Sequence, residues 1–342
     1  MPQPPNRTAE PSPGAAIEHG GGLDALAAAF PAAPRPWIDL STGINPWPWP
    51  LPVVPSEAWT RLPDRSALAA LLAAARQAYG AGEGAAIVAA PGSQALIQWL
   101  PRLLPTGDVA VCTPTYGEHA RCWQLAGHRV RQVPSPFETD AAVVVLTRPN
   151  NPDGHIPPRA PLLALADRLS AGGGLLVVDE AFAEVMPEES LATEAGRPGL
   201  VVLRSFGKFF GLAGLRLGFA LGPAELIARL ADALGPWAVP GPGLAVATAA
   251  LADLPWQAAT RRRLAAARSS LDRLLERNGL SLLGGTDLFR LAASPEAPAL
   301  WRRAAEAGIA LRRFPEAPTW LRFGLPADGA AEARLARVLA GR

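Results

Sequence analysis

Lysine and arginine carry the same charge at neutral pH, but only lysine sheds its proton readily enough to act as an amine nucleophile. Of the 32 Lys+Arg residues in this chain, one alone is a lysine, Lys208. A GC-rich genome would also favour arginine, so by itself the lysine only marks a place to look for imine chemistry. Its setting is Ser205-Phe206-Gly207-Lys208-Phe209-Phe210-Gly211-Leu212-Ala213-Gly214-Leu215-Arg216-Leu217-Gly218. The glycines let backbone approach a ligand closely. Ser205 supplies a hydroxyl, and Arg216 a fork of donors suited to phosphate. The segment follows a predicted strand over 201–205, at the end where α/β sheets bind ligands. Gly92-Ser93-Gln94 opens a predicted helix after another strand. Free N–H groups there suit a phosphate too, although a serine at that place is equally an ordinary N-cap. A nucleophilic amine beside phosphate-binding groups is what an aldehyde cofactor bearing a phosphate requires.

The segment from Ser205 to Gly218 resembles the lysine signature of class I/II aminotransferases, the pyridoxal 5'-phosphate (PLP) enzymes of fold type I. The resemblance covers about residues 17–342 and implies roles for further residues. Lys208 would bind the cofactor aldehyde. Asp179, in Val178-Asp179-Glu180-Ala181-Phe182, matches the aspartate that pairs with the pyridinium nitrogen and keeps it protonated. Asn151, in Arg148-Pro149-Asn150-Asn151-Pro152-Asp153-Gly154, matches the asparagine whose amide reaches the cofactor's phenolic oxygen. Without that match the Asn-Pro pair reads as a turn. Tyr116, in Pro114-Thr115-Tyr116-Gly117, matches an aromatic that stacks on the pyridine ring. Ser93, Gln94, Ser205 and Arg216 fall to the cofactor.

PLP fixes the cofactor and leaves the reaction open: transaminases break Cα–H, decarboxylases break Cα–COO⁻. Arg322, in Trp320-Leu321-Arg322-Phe323-Gly324, matches an arginine that grips the substrate carboxylate bidentately. Arg312, in Gly308-Ile309-Ala310-Leu311-Arg312-Arg313, matches one that holds a substrate phosphate in histidinol-phosphate aminotransferases, with Arg313 as the register alternative. Near the N-terminus, His19-Gly20-Gly21 is followed by Trp37-Ile38-Asp39-Leu40-Ser41-Thr42-Gly43-Ile44-Asn45-Pro46. This arm resembles the opening of the L-threonine-O-3-phosphate decarboxylases of cobalamin biosynthesis. The resemblance implies that His19 and Gly20 hold the substrate phosphate with Arg312. It places Gly43, Asn45 and Asn151 at the substrate with Arg322. The implied reaction converts L-threonine O-3-phosphate to (R)-1-amino-2-propanol O-2-phosphate, with Lys208 reprotonating Cα. A histidinol-phosphate aminotransferase or a related transaminase is the alternative. Two positions depart from the pattern: Phe182, and Leu62 in Arg61-Leu62-Pro63-Asp64, stand where relatives often have tyrosine. A homodimer is implied by the resemblance alone.

Groups this far apart in sequence need a rigid frame. Apolar residues recur at helical spacing over 65–79, and Gly80 can end that helix. Short apolar runs then alternate with helical patterns. Strands are predicted at 86–90, 109–113, 143–147, 175–179 and 201–205, with helices from about 93, over 118–126 and over 159–170. Strands buried on both faces and separated by helices predict an α/β fold, a large domain with a mostly parallel sheet. A long helix over 258–277, short strands near 288–292, 310–314 and 321–323, and a helix over 330–339 predict a smaller α+β C-terminal domain. The expected organisation is a disordered Pro-rich tail (1–14), an irregular arm packing on the active site and small domain (15–62), a large PLP-binding domain (63–235) and a small C-terminal domain (236–342).

Composition narrows the remaining classes. A hydrophobic content of 49% against 18% charged residues describes a globular chain. A net charge of +2 offers no electrostatic case for nucleic acid. Cys112 and Cys122 make neither a disulfide framework nor a metal set. With no leader pattern, a cytoplasmic location is expected. The uncharged stretch 234–252 contains Pro236, Pro240 and Pro242, which argues against a membrane span.

Overall fold

The computed structural model describes residues 19–341, so the tail expected at 1–14 lies outside the described residues. The strands are β1 (Ile38–Leu40), β2 (Ala86–Ala90), β3 (Asp108–Cys112), β4 (Arg129–Val133), β5 (Val143–Thr147) and β6 (Leu175–Asp179). They continue with β7 (Leu200–Ser205), β8 (Gly218–Gly222), β9 (Ser281–Thr286), β10 (Phe289–Ala293), β11 (Ile309–Arg313) and β12 (Trp320–Gly324). The chain folds as two units. The larger holds Ile44–Ala266 and Gly285–Leu288; the smaller holds the chain up to Gly43, Ala267–Gly284 and Phe289–Arg342.

In the larger unit, seven strands lie in the order β2-β8-β7-β6-β5-β3-β4. Strands β3 to β7 pair in parallel, and β8 runs antiparallel to both β2 and β7. β5 and β6 are buried at every residue, which explains their unbroken Val/Leu content. Each fully buried Val or Leu of these strands contributes about 1.5–3 kcal/mol. The register sets Thr147 opposite Asp179 and Asp179 opposite Leu203. The polar C-terminal ends of β5, β6 and β7 therefore emerge side by side along one edge. Helix Arg65–Tyr79 buries Leu71, Ala75 and Tyr79 at four-residue spacing and stops at Gly80, whose left-handed φ of 62° lets its N–H reach the last turn.

Several features were not foreseen, among them the helices Ala224–Leu234 and Ala297–Glu306. β8 is short and glycine-bounded and carries no separate apolar signal. β4 (Arg-Val-Arg-Gln-Val) is a polar edge strand, so no apolar run announced it. The uncharged stretch near 234–252 contains the helix Gly241–Ala252, too short to cross a membrane.

In the smaller unit the sheet order is β1-β11-β12-β10-β9. β10, β12 and β11 form an antiparallel set, and β1 joins it by pairing in parallel with β11. Residues 15–62 are thus not uniformly irregular: the described part contains helix Leu23–Ala29 and strand β1. Nor do they form one segment, since the chain changes unit after Gly43. The stretch 236–266 belongs with the larger unit, where helix Gly241–Ala252 packs on helix Arg65–Tyr79.

Candidate active site

β7 ends at Ser205 and passes directly into the short helix Phe206–Phe209, which carries Lys208. Phe206, Phe209 and Phe210 are buried and anchor this turn, with Phe206 and Phe210 stacked at 4.4 Å. Lys208 between them is half-buried, its Nζ 5.9 Å from the centroid of the Phe182 ring. The lysine carbonyl accepts from Asn45 N at 2.9 Å. Asn45 Nδ2 also donates to Phe209 O at 2.8 Å, and its Oδ1 accepts from Trp47 N. The arm residue expected at the substrate thus holds the lysine segment.

Asp179 closes β6 and is buried. Its Oδ1 accepts from Ala181 N at 3.0 Å, and its Oδ2 lies 2.9 Å from His119 Nε2. An ionised carboxylate can only accept, so the Nε2–H tautomer of His119 donates. His119 is a site residue that the sequence reading missed. Its signal was faint: one of four histidines, three residues beyond Tyr116 on the following helix. The Tyr116 ring meets His119 edge-on at 6.0 Å, and its hydroxyl donates to Gln94 Oε1 at 3.0 Å. Burial, with help from Glu118, Asp179 and Cys122 and against Arg216, pushes the Tyr116 phenol up to about 12. Gln94 Nε2 donates to Glu118 Oε2 at 3.2 Å. Both ends of this side-chain amide are therefore engaged, whereas the expectation for Gln94 rests on the backbone N–H groups at the helix start.

The loop bearing Asn151 is tied to the same edge, because Arg148 N donates to Asp179 O at 2.8 Å. Its neighbour Asn150 does the fastening: Oδ1 accepts from Thr115 Oγ1, and Nδ2 donates to Pro114 O and Asp153 Oδ1. Arg216 is exposed and adopts a left-handed φ of 51°, unusual for a residue with a side chain. A Cβ on Gly92 would lie 2.7 Å from Arg216 Nη2, and one on Gly218 would lie 2.3 Å from Ser93 N. Ser205 is the register partner of Gly218. Ser93, Ser205 and Arg216, widely spaced in sequence, are thereby brought together.

Behind these strand ends lies a buried ionic cluster that the sequence reading also missed. Arg204 Nη1 donates to Glu180 Oε2 at 2.7 Å, and Nη2 lies 3.1 Å from Glu184 Oε1. Ser190 Oγ and Leu191 N donate to Glu180 as well. Burial opposes the charge on Arg204, but Glu184 and Glu180 outweigh it and hold the guanidinium above its ordinary range. Burial pushes the Glu184 carboxyl up.

The smaller unit assembles the remaining candidates. Arg312 and Arg322 are register partners on antiparallel strands, so their side chains share a face. Arg313 lies on the other face, stacked 4.3 Å from the Trp301 ring. Arg322 is buried and donates to Ser41 O at 2.7 Å. Burial, reinforced by Arg312 and opposed by Asp39, pushes it down to about 9. Ser41 Oγ donates to Asp39 Oδ1 and accepts from Gly21 N at 2.8 Å. A Cβ on Gly20 would stand 2.3 Å from Ser41 O, so only glycine fits there. The His19-Gly20-Gly21 turn is thus docked on the Ser41 segment, with His19 exposed and Gly43 buried where the first stretch of this unit ends. Among the described residues no group of His, Cys, Asp and Glu could hold a metal ion.

The family model described as aminotransferase class I and II matches residues 54–339. A threonine-phosphate decarboxylase from Pseudomonas aeruginosa is 48% identical, over 95% of this chain and 98% of its own length. Another from Sinorhizobium sp is 46% identical, over 95% and 98%. The histidinol-phosphate aminotransferase from Sinorhizobium meliloti, solved in complex with pyridoxal-5'-phosphate, superposes with a TM-score of 0.78 at 22% identity, covering 94% of this chain and 95% of that one. The chain belongs to the aminotransferase class I and II family, and within it to the threonine-phosphate decarboxylases.

Proposed function

We propose that this chain is a PLP-dependent carboxy-lyase that converts L-threonine O-3-phosphate to (R)-1-amino-2-propanol O-2-phosphate, for the side chain of cobalamin. The observation that carries this reading is the docking of His19-Gly20-Gly21 onto Ser41, whose carbonyl also accepts from Arg322. Arm and Arg322 meet at Ser41, with Arg312 on the same face of the sheet, which supports their holding a small dianion.

The residues present fit PLP. A half-buried amine stands at a strand end, a buried carboxylate closes the neighbouring strand, and the missing Gly92 side chain leaves Arg216 beside Ser93. Lys208 would hold the aldehyde and Asp179 the ring nitrogen. Tyr116 would face the ring, Asn151 the phenolic oxygen, and Ser93, Ser205 and Arg216 the phosphate. When bound, PLP supplies a ring that accepts the electron pair left as CO₂ departs.

The protein's part is orientation and proton delivery. His119 and Ala181 N fix the direction of the Asp179 carboxylate. Arg322 grips the substrate carboxylate; Arg312, on the same face, takes the phosphate with His19 and Gly20. Gripping both ends of a small molecule fixes rotation about its amine-bearing carbon. The bond to the carboxylate is thereby presented for cleavage in place of the bond to hydrogen. Lys208 Nζ then delivers the proton to Cα.

We further assign a homodimer and a cytoplasmic location. Val53, Trp59 and Leu62 are 96%, 68% and 65% exposed, and Leu62 lines a groove with Ala67, Leu244 and Ala245, flanked by Glu57, Arg61 and Asp64. Apolar surface of this kind marks an interaction site. Both cysteines are free, and among the described residues no helix is long and apolar enough to cross a membrane.

The deciding experiment incubates the purified protein with L-threonine O-3-phosphate. CO₂ release matched by a phosphorylated amino alcohol is expected, with Lys208→Ala losing both that activity and the visible absorbance of lysine-linked cofactor. Amino transfer to 2-oxoglutarate without CO₂ would make the chain a transaminase.

A further inference from the structure

Gln94 presents two chemically different ends, and its neighbours sort them, with Cys122 Sγ a weak further contact of Nε2 at 4.0 Å. Nε2 lies 3.2 Å from Glu118 Oε2, and Oε1 lies 3.0 Å from the Tyr116 hydroxyl. An ionised carboxylate accepts and cannot donate, so the amide nitrogen must face Glu118. The amide oxygen is left for Tyr116, whose hydroxyl must then donate. A flipped amide would set its oxygen against the carboxylate, two acceptors in contact at a buried site, which is costly. Glu118 is itself buried and fixed from other sides, by Arg121 Nη1 at 3.5 Å and by Cys122 Sγ at 3.8 Å. The Tyr116 ring in turn leans edge-on against His119, the residue that holds Asp179.

We propose that Glu118 is a positioning residue: acting through Gln94, it fixes the Tyr116 hydroxyl as a donor and the Tyr116 ring in one orientation. This rests on the reading of Tyr116 as the aromatic that faces PLP. No group in the relay needs to touch substrate. Its effect is to remove the freedom of a side chain that otherwise has two rotatable bonds and a rotating hydroxyl.

Two variants separate the relay from simple charge. Glu118→Gln removes the acceptor-only neighbour, so the Gln94 amide can flip. Gln94→Ala leaves the Glu118 charge in place and breaks the relay. The holoenzyme of each should release cofactor about fivefold faster, the loss of one ordinary hydrogen bond. The pH midpoint of the cofactor absorbance should shift in both. In a Tyr116→Phe background neither substitution should add a further change. Equal effects with and without the tyrosine hydroxyl would overturn the proposal, as would a shift in Glu118→Gln with none in Gln94→Ala.

A second readout does not depend on the cofactor. Tyr116 is one of two tyrosines, and the other, Tyr79, is buried against Arg204, whose Cζ lies 4.4 Å from its ring centre. Tyr79→Phe therefore leaves a single tyrosine resonance in a sample labelled at the Cζ carbon. That resonance should be sharp in the parent and should move and broaden in both variants. An unmoved resonance rejects the relay. A moved resonance in a protein that purifies without visible absorbance rejects the PLP reading and keeps the relay.

Discussion

Arg322 sits buried beside Arg312, and burial together with that like charge pushes it down to about 9. A charge buried beside a like charge costs stability, and a bound carboxylate would offset that cost. The guanidinium still carries its charge at neutral pH. Arg322→Gln should raise the KM for threonine phosphate about 10- to 100-fold at neutral pH, the worth of a charge-assisted pair. Steady-state kinetics checks this; an unchanged KM would assign the substrate carboxylate to another group. At this scale the sequence was legible in residue type: one lysine, one strand-end aspartate, arginines near the C-terminus. It could not choose between Arg312 and Arg313, because neighbours on a strand point to opposite faces and only the register with Arg322 says which face matters.

Among the elements, β6 and β7 do the most for the site, because Asp179 and the lysine turn leave from their adjacent ends. Arg204 and Glu180 join those ends inside the protein, where removing one charge strands the other. Arg204→Met should cost about 3–5 kcal/mol. Glu184 behaves differently. Its Oε1 lies 3.1 Å from Arg204 Nη2, yet burial outweighs that attraction and pushes its carboxyl up. Its stabilising contribution is complete below the ordinary value of 4.5 and fades as pH rises through the elevated one. Relative to the parent, Glu184→Gln should thus fare better at pH 8 than at pH 5, while Arg204→Met lowers Tm at both. Thermal melts at the two pH values test the pair, and a Glu184→Gln protein whose Tm relative to the parent falls between pH 5 and pH 8 would contradict the account. These groups escaped the sequence reading because adjacency to a catalytic position is no signal of its own. Parallel pairing had to bring 180, 184, 190 and 204 together.

For the molecule as a whole, the proposed homodimer would cover the exposed Val53, Trp59 and Leu62. Trp59→Asp should shift the protein from dimer to monomer in sedimentation experiments, leaving a folded chain with a native circular dichroism spectrum. A dimer unaffected by that charge would place the interface on another face. The unit boundaries belong to this scale as well. The sequence placed them at 62/63 and 235/236, where composition changes. The fold divides at 43/44 and again inside the helix Leu254–Arg277, because contacts across the chain, not composition, decide what packs together.

The sequence by itself determined the alternation of buried strands and amphipathic helices, and singled out the one lysine proposed to carry the chemistry. Both rest on short-range information: periodicity, glycine spacing, and a residue type that nothing else could replace. Tertiary structure alone decided that the His19 turn docks on Ser41. It also gave Asn45 to the lysine segment, aimed Gln94 at Tyr116 and set His119 on Asp179. Each of those contacts depends on the direction of a side chain across a gap in sequence, and direction is fixed only once strand register and helix packing have closed around it.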